Sequence, residues 1–362
     1  MLEVESLTVT TGNFALSDIS LSIPEGECHA VLGPSGSGKS TLLHAILGVL
    51  PPVRGCIRIN GEDITYQPIE RRGLGYLPQQ IGLFPNLTVR ENILYSPRAR
   101  GVQPSQYRPL LDMLIEATGI GGLLDRLPHT LSGGERQRVG LVRALASQPR
   151  VVLLDEPFAA LNESLRRELW WLVRKLQQNH KITILLVTHN LIEAYVLASK
   201  ISVLMEGRIR QTGDKISVYR RPALRSIARF LGINNLWDGI VTAREGDRLI
   251  IDCPALGISP QLAAGNDPPA LHSRVTVGIL AEQVALRDAD HPPKPGEHLL
   301  TGCINLTDLG PRWVLQFRPQ NSEVVLEIHL GRRVVEHFGL FDGKSGVTVG
   351  LPNQALFWMR ND

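Results

Sequence analysis

Apolar and polar positions alternate along residues 2–10 and again along 19–23, where Pro24-Glu25-Gly26-Glu27 ends the run. A period of two marks strands with one buried face. Residues 28–32 are a short apolar run that leads into a glycine-rich segment. Beyond it, residues 42–48 continue as a helix that ends near Pro51-Pro52. From about 88 to 148 the chain reads as helical, with helical apolar spacing over 109–118 and 135–147. Residues 151–154 and 182–187 are continuous apolar runs, as strands buried on both faces of a parallel sheet are. Strands alternating with helices predict an α/β core.

After Asn234 the texture changes to short alternating strands separated by Gly, Pro and Asn. Val275-Thr276-Val277-Gly278-Ile279 recurs as Val347-Thr348-Val349-Gly350-Leu351. Similar tails follow, Glu282-Gln283-Val284-Ala285-Leu286 and Asn353-Gln354-Ala355-Leu356, and the stretch His291-Pro292-Pro293-Lys294-Pro295 lies between the copies. Two related β units are expected, although two short strands can also match by chance. The expected domains are 1–234, α/β with a helical subdomain at about 88–148, and 235–362, a small all-β domain.

Composition changes this picture little. A chain of 362 residues has room for two domains, and 43% hydrophobic with 20% charged residues is ordinary for a globular protein. A net charge of +3 is too small to argue for nucleic acid, so no nucleic-acid partner is expected. Cys28, Cys56, Cys253 and Cys303 stand singly, which points to no zinc site or disulfide framework. Three of them fall in apolar or strand-like runs and are expected in the core, which suits a reducing compartment. The first residues, Met1-Leu2-Glu3-Val4-Glu5-Ser6-Leu7, do not read as a secretory signal. No apolar run approaches the roughly 20 residues that span a bilayer. For work at a membrane, another chain is expected to supply the spans.

Gly33-Pro34-Ser35-Gly36-Ser37-Gly38-Lys39-Ser40 follows a predicted strand and opens a predicted helix, the context a phosphate-binding P-loop requires. Glycines let backbone N–H groups curl around phosphate oxygens. Lys39 supplies a charge at the outer phosphates, and Ser40 offers a hydroxyl to Mg²⁺. The helix, with Thr41 in its first turn, adds its positive end. Leu131-Ser132-Gly133-Gly134-Glu135 is a capping box with glycines open to an anion, although capping boxes alone are common. Asp155-Glu156 closes the strand at 151–154. An acid beside a P-loop holds Mg²⁺, and a second can deprotonate an attacking water. Elsewhere such a pair is a solvated strand end. His189 and Gln79 are, in isolation, a turn residue and an ordinary polar residue.

Taken in order, these residues resemble the ATPase subunits of ABC transporters. The P-loop is similar to the Walker A motif, 131–138 to the family signature, Asp155 and Glu156 to the Walker B acid and catalytic carboxylate, Gln79 to the Q-loop and His189 to the H-loop. The resemblance covers about 1–234. It implies two chains head to tail, with ATP on the loop 33–41 of one copy and under Ser132, Gly133, Gly134 and Glu135 of the other. It implies that Glu156 polarises water, that His189 touches the γ-phosphate, and that Gln79 senses it and joins Ser40 and Asp155 at the metal. An aromatic near the N-terminus stacks on adenine in this family; Phe14 is the candidate, and an apolar strand residue is an equal reading. Two positions depart: Asn162 and Asn190 stand where the family usually has Asp.

The C-terminal part resembles the accessory β domain, TOBE, of importers for oxyanions, sugars, polyamines and iron, with Leu280-Ala281 in place of the usual Arg-Pro. Residues 83–93 also resemble importer ATPases, where this region meets a permease helix. The N-terminal half, with Asn13-Phe14-Ala15-Leu16, looks most like the molybdate and tungstate branch. The resemblance thus implies an ATPase at the cytoplasmic face of the cell membrane, a separate permease and an external solute-binding protein. The alternatives are import of iron, sulfate, polyamine or sugar, a ligand-sensing β domain, or a soluble ABC ATPase acting on nucleic acid or ribosomes.

Overall fold

The computed structural model of the chain describes residues 1–159, 161–265, 267–287 and 294–362. It divides into two compact units, Met1–Lys215 and Ile216–Asp362.

In the first unit, β1 (Leu2–Thr11) and β2 (Phe14–Ile23) form a hairpin. Then come β3 (Cys28–Leu32), α1 (Lys39–Leu47), β4 (Arg54–Ile59), β5 (Glu62–Asp63) and β6 (Gly75–Leu77). The helical stretch holds α2 (Val89–Ala99), α3 (Pro104–Thr118) and α4 (Gly133–Leu145). The unit ends with β7 (Val151–Asp155), α5 (Glu163–His180), β8 (Thr183–Thr188), α6 (Leu191–Leu197), β9 (Lys200–Met205) and β10 (Arg208–Asp214).

Two sheets result. One is antiparallel, in the order β2-β1-β4-β5; the other runs β10-β9-β3-β8-β7-β6 and is parallel except at β10. Every residue of β3, β7 and β8 is buried, the reason their sequences show no alternation. One buried cluster joins Leu7, Ile19 and Ile57 of the first sheet, Leu42, Leu43 and Ile46 of α1, and Val31, Leu153 and Leu185 of the second. That packing fixes α1, and so the loop preceding it, at the C-terminal end of β3. The buried Arg72 guanidinium secures the far end of α1 by donating to the carbonyls of Ala45 (3.3 Å) and Ile46 (2.7 Å). These are carbonyls a helix terminus leaves without partners.

The helices begin earlier than their apolar spacing suggests. α3 starts at Pro104, whose missing N–H costs nothing in a first turn, and carries Pro109 inside it. α4 starts at Gly133 because Ser132 caps it. The expected trio of core cysteines is corrected to two: Cys28 and Cys253 are buried, whereas Cys56 is half-buried and Cys303 exposed. Cys303 occupies an outward position of an alternating strand.

The second unit begins earlier than the textural change at Asn234. Here α7 (Lys215–Arg220) and α8 (Arg225–Phe230) precede the strands, and Ser226 at the start of α8 bonds the Asp362 carboxylate through its N–H and hydroxyl. The first strand group is β11 (Leu236–Glu245), β12 (Arg248–Asp252), β13 (Gln261–Ala263), β14 (Arg274–Ile279) and β15 (Ala285–Arg287). The second is β16 (Glu297–Asp308), β17 (Trp313–Pro319), β18 (Leu326–Leu330), α9 (Arg332–His337), β19 (Ser345–Pro352) and β20 (Leu356–Met359).

The sheets run β13-β12-β11-β14-β20 and β18-β17-β16-β19-β15. The two groups share one plan, and their last strands are exchanged. β15 follows the first Val-Thr-Val-Gly copy but pairs with β19; β20 follows the second copy but pairs with β14. The repeat glycines serve this plan. A Cβ at Gly278 would strike Leu236, and one at Gly350 would strike the buried Glu297 carboxylate. That carboxylate accepts from Arg287 Nη2 at 2.6 Å, which holds it below the usual carboxylate range against the opposing effect of burial. Of the proline-rich stretch between the copies, His291, Pro292 and Pro293 lie outside the described residues.

Candidate functional site

The loop between β3 and α1 is built as a cradle. Gly36 and Gly38 have φ of 80° and 103°, a region that favours glycine. Gly33 is required for another reason: a Cβ there would meet the Leu204 carbonyl and the Ser37 hydroxyl. Pro34, Ser35 and Gly36 form an exposed lip, while Ser37 and Lys39 are buried. Ser40 and Thr41 lie half-buried in the first turn of α1. Among the described residues, the N–H groups of Gly36, Gly38, Lys39 and Ser40 take no backbone acceptor outside α1. Lys39 folds back, donating to the carbonyls of Gly33 (2.9 Å) and Pro34 (3.0 Å). Burial holds its pKa below the ordinary lysine value, while Glu156 and Asp155 pull the other way. The Phe14 ring, half exposed, lies beside the loop: a Cβ on Gly38 would touch its edge.

Strand ends bring the acids to the same place. β7 and β8 flank one another in the sheet that carries β3, so Asp155 and His189 leave it at the end where the loop leaves β3. Asp155 is 3% exposed, and among the described residues its Oδ1 has no hydrogen-bond partner. Burial raises its pKa, which the Ser40 hydroxyl partly offsets. Glu156 has φ of 47°, rare for a residue with a side chain, and its carboxylate meets His189 Nδ1 at 2.8 Å. Gln79 lies in an exposed bend just past β6, the strand beside β7, and the structure gives it no hydrogen bond to these groups.

The His189 turn has a buried acid that sequence reasoning missed. Glu193 on α6 is 3% exposed and accepts from the Thr188 hydroxyl at 2.7 Å. Burial, with Glu156 nearby, raises its pKa. An acid among Ala194 and Leu197 on the inner face of a short helix was the available signal.

At the start of α4, the capping box closes as expected. Ser132 Oγ accepts from Glu135 N (3.3 Å), and Glu135 Oε2 accepts from Ser132 N (2.7 Å), which lowers the Glu135 pKa. A Cβ on Gly133 would meet nothing within 4 Å, and one on Gly134 only Leu161 at 3.4 Å. Neither glycine has a positive φ. The chain's own packing therefore does not require them. Among the described residues no hydrogen bond joins 132–135 to the loop at 33–41.

Both asparagines that depart from the motif pattern are helix caps. Asn162 Oδ1 accepts from Leu165 N (2.9 Å), and Asn190 Oδ1 from Ile192 N (2.9 Å) and Glu193 N (3.3 Å). Asn and Asp cap equally well, so the substitution keeps the local structure and drops a charge.

The family model described as ABC transporter matches residues 16–159. The molybdate/tungstate import ATP-binding protein WtpC of Pyrococcus horikoshii is 40% identical over 93% of this chain and 97% of its own length. The chain belongs to the ABC transporter ATP-binding proteins. This family member is thus an ATPase. Sulfate/thiosulfate import ATP-binding protein CysA of Mycobacterium tuberculosis is 43% identical over 65% of this chain and 68% of itself. Among solved structures, a dimeric, post-hydrolysis ATP-binding cassette bound to ADP and Pi superposes with a TM-score of 0.54 at 28% identity, covering 59% of this chain and 99% of that one. The first unit accordingly has the P-loop fold of ABC ATPases.

Proposed function

We propose that this chain is the ATP-hydrolysing subunit of an importer whose solute is an oxyanion, molybdate or tungstate first. One observation carries the choice of solute. The WtpC likeness extends over 93% of the chain and so includes most of the all-β unit, whereas the CysA likeness covers 65%. Sulfate is the second reading, because the CysA identity is as high within its span. The all-β unit is read as a TOBE-like accessory domain, and residues 1–234 and 235–362 as the functional divisions.

The site residues support a composite ATPase. Backbone N–H groups of 33–41 and Lys39 hold the phosphates, and Phe14 stacks on the base. Glu156 takes a proton from the attacking water, and His189 reaches the outer phosphate with the nitrogen that Glu156 leaves free. Mg²⁺ suits the donor set: the buried Asp155 carboxylate meets the Ser40 hydroxyl, and among the described residues its Oδ1 has no partner. Gln79 would complete it, and the ion would offset phosphate charge. Ser132, Gly133, Gly134 and Glu135 serve the nucleotide of a second copy placed head to tail. Their lack of any packing need for glycine within the chain supports that, as does the dimeric cassette.

Among the described residues no helix is long and apolar enough to cross a membrane. The reading therefore adds permease subunits, with this chain peripheral on their cytoplasmic side and a solute-binding protein acting from outside. The test is uptake of labelled molybdate, tungstate and sulfate after deletion of this gene alone. Loss of molybdate or tungstate uptake is expected. Loss of sulfate uptake alone moves the assignment to the second reading, and unchanged uptake of all three defeats import.

A further inference from the structure

The buried Glu193 has no part in the chemistry assigned above, yet it braces the turn that carries His189. Only His189 and Asn190 separate β8 from α6. The imidazole is 63% exposed, and among the described residues its hydrogen bond is to Glu156, so little packing holds the ring. Its place is set by the backbone of 188–190 that carries it, with Glu156 meeting the ring at Nδ1. Four hydrogen bonds among these residues tie that backbone. The Thr188 hydroxyl, itself 0% exposed, accepts from Asn190 N at 3.0 Å and donates to Glu193 Oε2 at 2.7 Å. Asn190 Oδ1 accepts from the N–H groups of Ile192 and Glu193. The ring of bonds Thr188–Asn190–Glu193 closes on itself and spans the strand end, the turn and the helix start.

A buried carboxylate is costly unless its acceptors are used. Here it fixes the hydroxyl of Thr188, a group with only one proton to give. With that proton committed to Glu193, the oxygen is left to accept from Asn190 N. Without the acceptor, the hydroxyl rotates and the tie to Asn190 loosens.

We propose that Glu193 is a positioning residue for ATP hydrolysis, acting through Thr188 to fix the turn that points His189 Nε2 at the outer phosphate. The inference rests on the site reading given under the proposed function.

The test is steady-state ATPase activity of the full chain against ATP concentration. Glu193→Ala and Thr188→Val should each lower kcat about tenfold or more while KM for ATP moves less than about threefold, because binding depends on the loop at 33–41. Glu193→Gln keeps an acceptor oxygen and should stay within about threefold of the parent kcat. The double variant Glu193→Ala, Thr188→Val should be no slower than the slower single variant, since both remove one link. Parent-like kcat in Glu193→Ala, failure of Glu193→Gln to recover activity, or additive losses in the double variant would each overturn the proposal. Should Glu193→Ala fail to fold, Thr188→Val preserves shape and decides alone, parent-like kcat again overturning it. His189→Ala and Glu156→Gln separate the two levels: if both retain turnover, the site reading itself fails. If both lose it and the Glu193 series does not respond, only this inference fails.

Discussion

Glu156 sits in left-handed backbone, where a side chain costs about 1 kcal/mol or more, and the return is a carboxylate aimed at His189. A general base, the role proposed for Glu156, contributes about 10²–10⁴ in rate. Glu156→Gln should therefore leave ATP binding nearly intact and slow hydrolysis about a hundredfold or more, read by nucleotide titration beside phosphate release. Lys39 is the second residue with a role in the proposed reading. It is buried, and its ammonium spans the carbonyls of Gly33 and Pro34 at the loop mouth. A charge-assisted hydrogen bond is worth about 1.5–3 kcal/mol, so Lys39→Ala should weaken ATP binding about 10–100-fold, measured by titration calorimetry. Asn162 and Asn190 belong to this scale too. Their asparagine oxygens cap helices as aspartate would, so the departures change electrostatics and not geometry.

At the scale of elements, α4 and β3 each carry a consequence. The Ser132 hydroxyl is the cap that lets α4 begin at Gly133. Ser132→Ala should lower stability by about 0.5–2 kcal/mol, the usual worth of a cap, in a urea titration. On β3, His29 is 2% exposed and bonds Ser202 at 2.8 Å through Nε2, and among the described residues its Nδ1 has no partner. Burial pulls its pKa from 6.5 down to about 4, with Lys200 adding to the effect. The unfolded chain thus binds this proton at higher pH than the folded one. Stability from this residue is intact above about pH 6.5 and falls as pH drops from there towards about 4, by at most about 1.4 kcal/mol per pH unit. Comparing unfolding free energies of the parent and His29→Gln between pH 7 and 4.5 checks it: the variant should show the shallower slope.

The molecule as a whole is two units of different logic. The first is organised around a parallel sheet whose strand ends deliver the loop, Asp155-Glu156 and His189 to one edge, as open α/β sheets do with ligand sites. The second is a duplicated β plan in which each copy lends its last strand to the other. That exchange makes a prediction no contact within one copy would make. A chain ending at Pro352 loses β20, the tail of the second copy, and should lose protection first in the first copy. Amide hydrogen exchange should rise at 276–279 of β14, while β19 keeps its protection because β15 and β16 still flank it. Faster exchange in β19 than in β14 would contradict the pairing.

The sequence by itself determined the local structure of each motif. Continuous apolar runs announced the buried strands because a strand covered on both faces has no polar side to display. The loop at 33–40 and the capping box at 132–135 were legible because each is a short segment whose backbone geometry restricts which residues fit. The repeat was visible as well. Tertiary structure alone decided what these pieces do together. Period-two patterning says which residues face inward and not which strand lies alongside, so the exchange of β15 and β20 could not be read from the copies. Nor could the brace around His189: Thr188 and Glu193 meet only because α6 turns back onto the end of β8, which follows from packing. In the same way Cys56 and Cys303 sit in strand-like runs, and only the sheets reveal that these positions look away from the core.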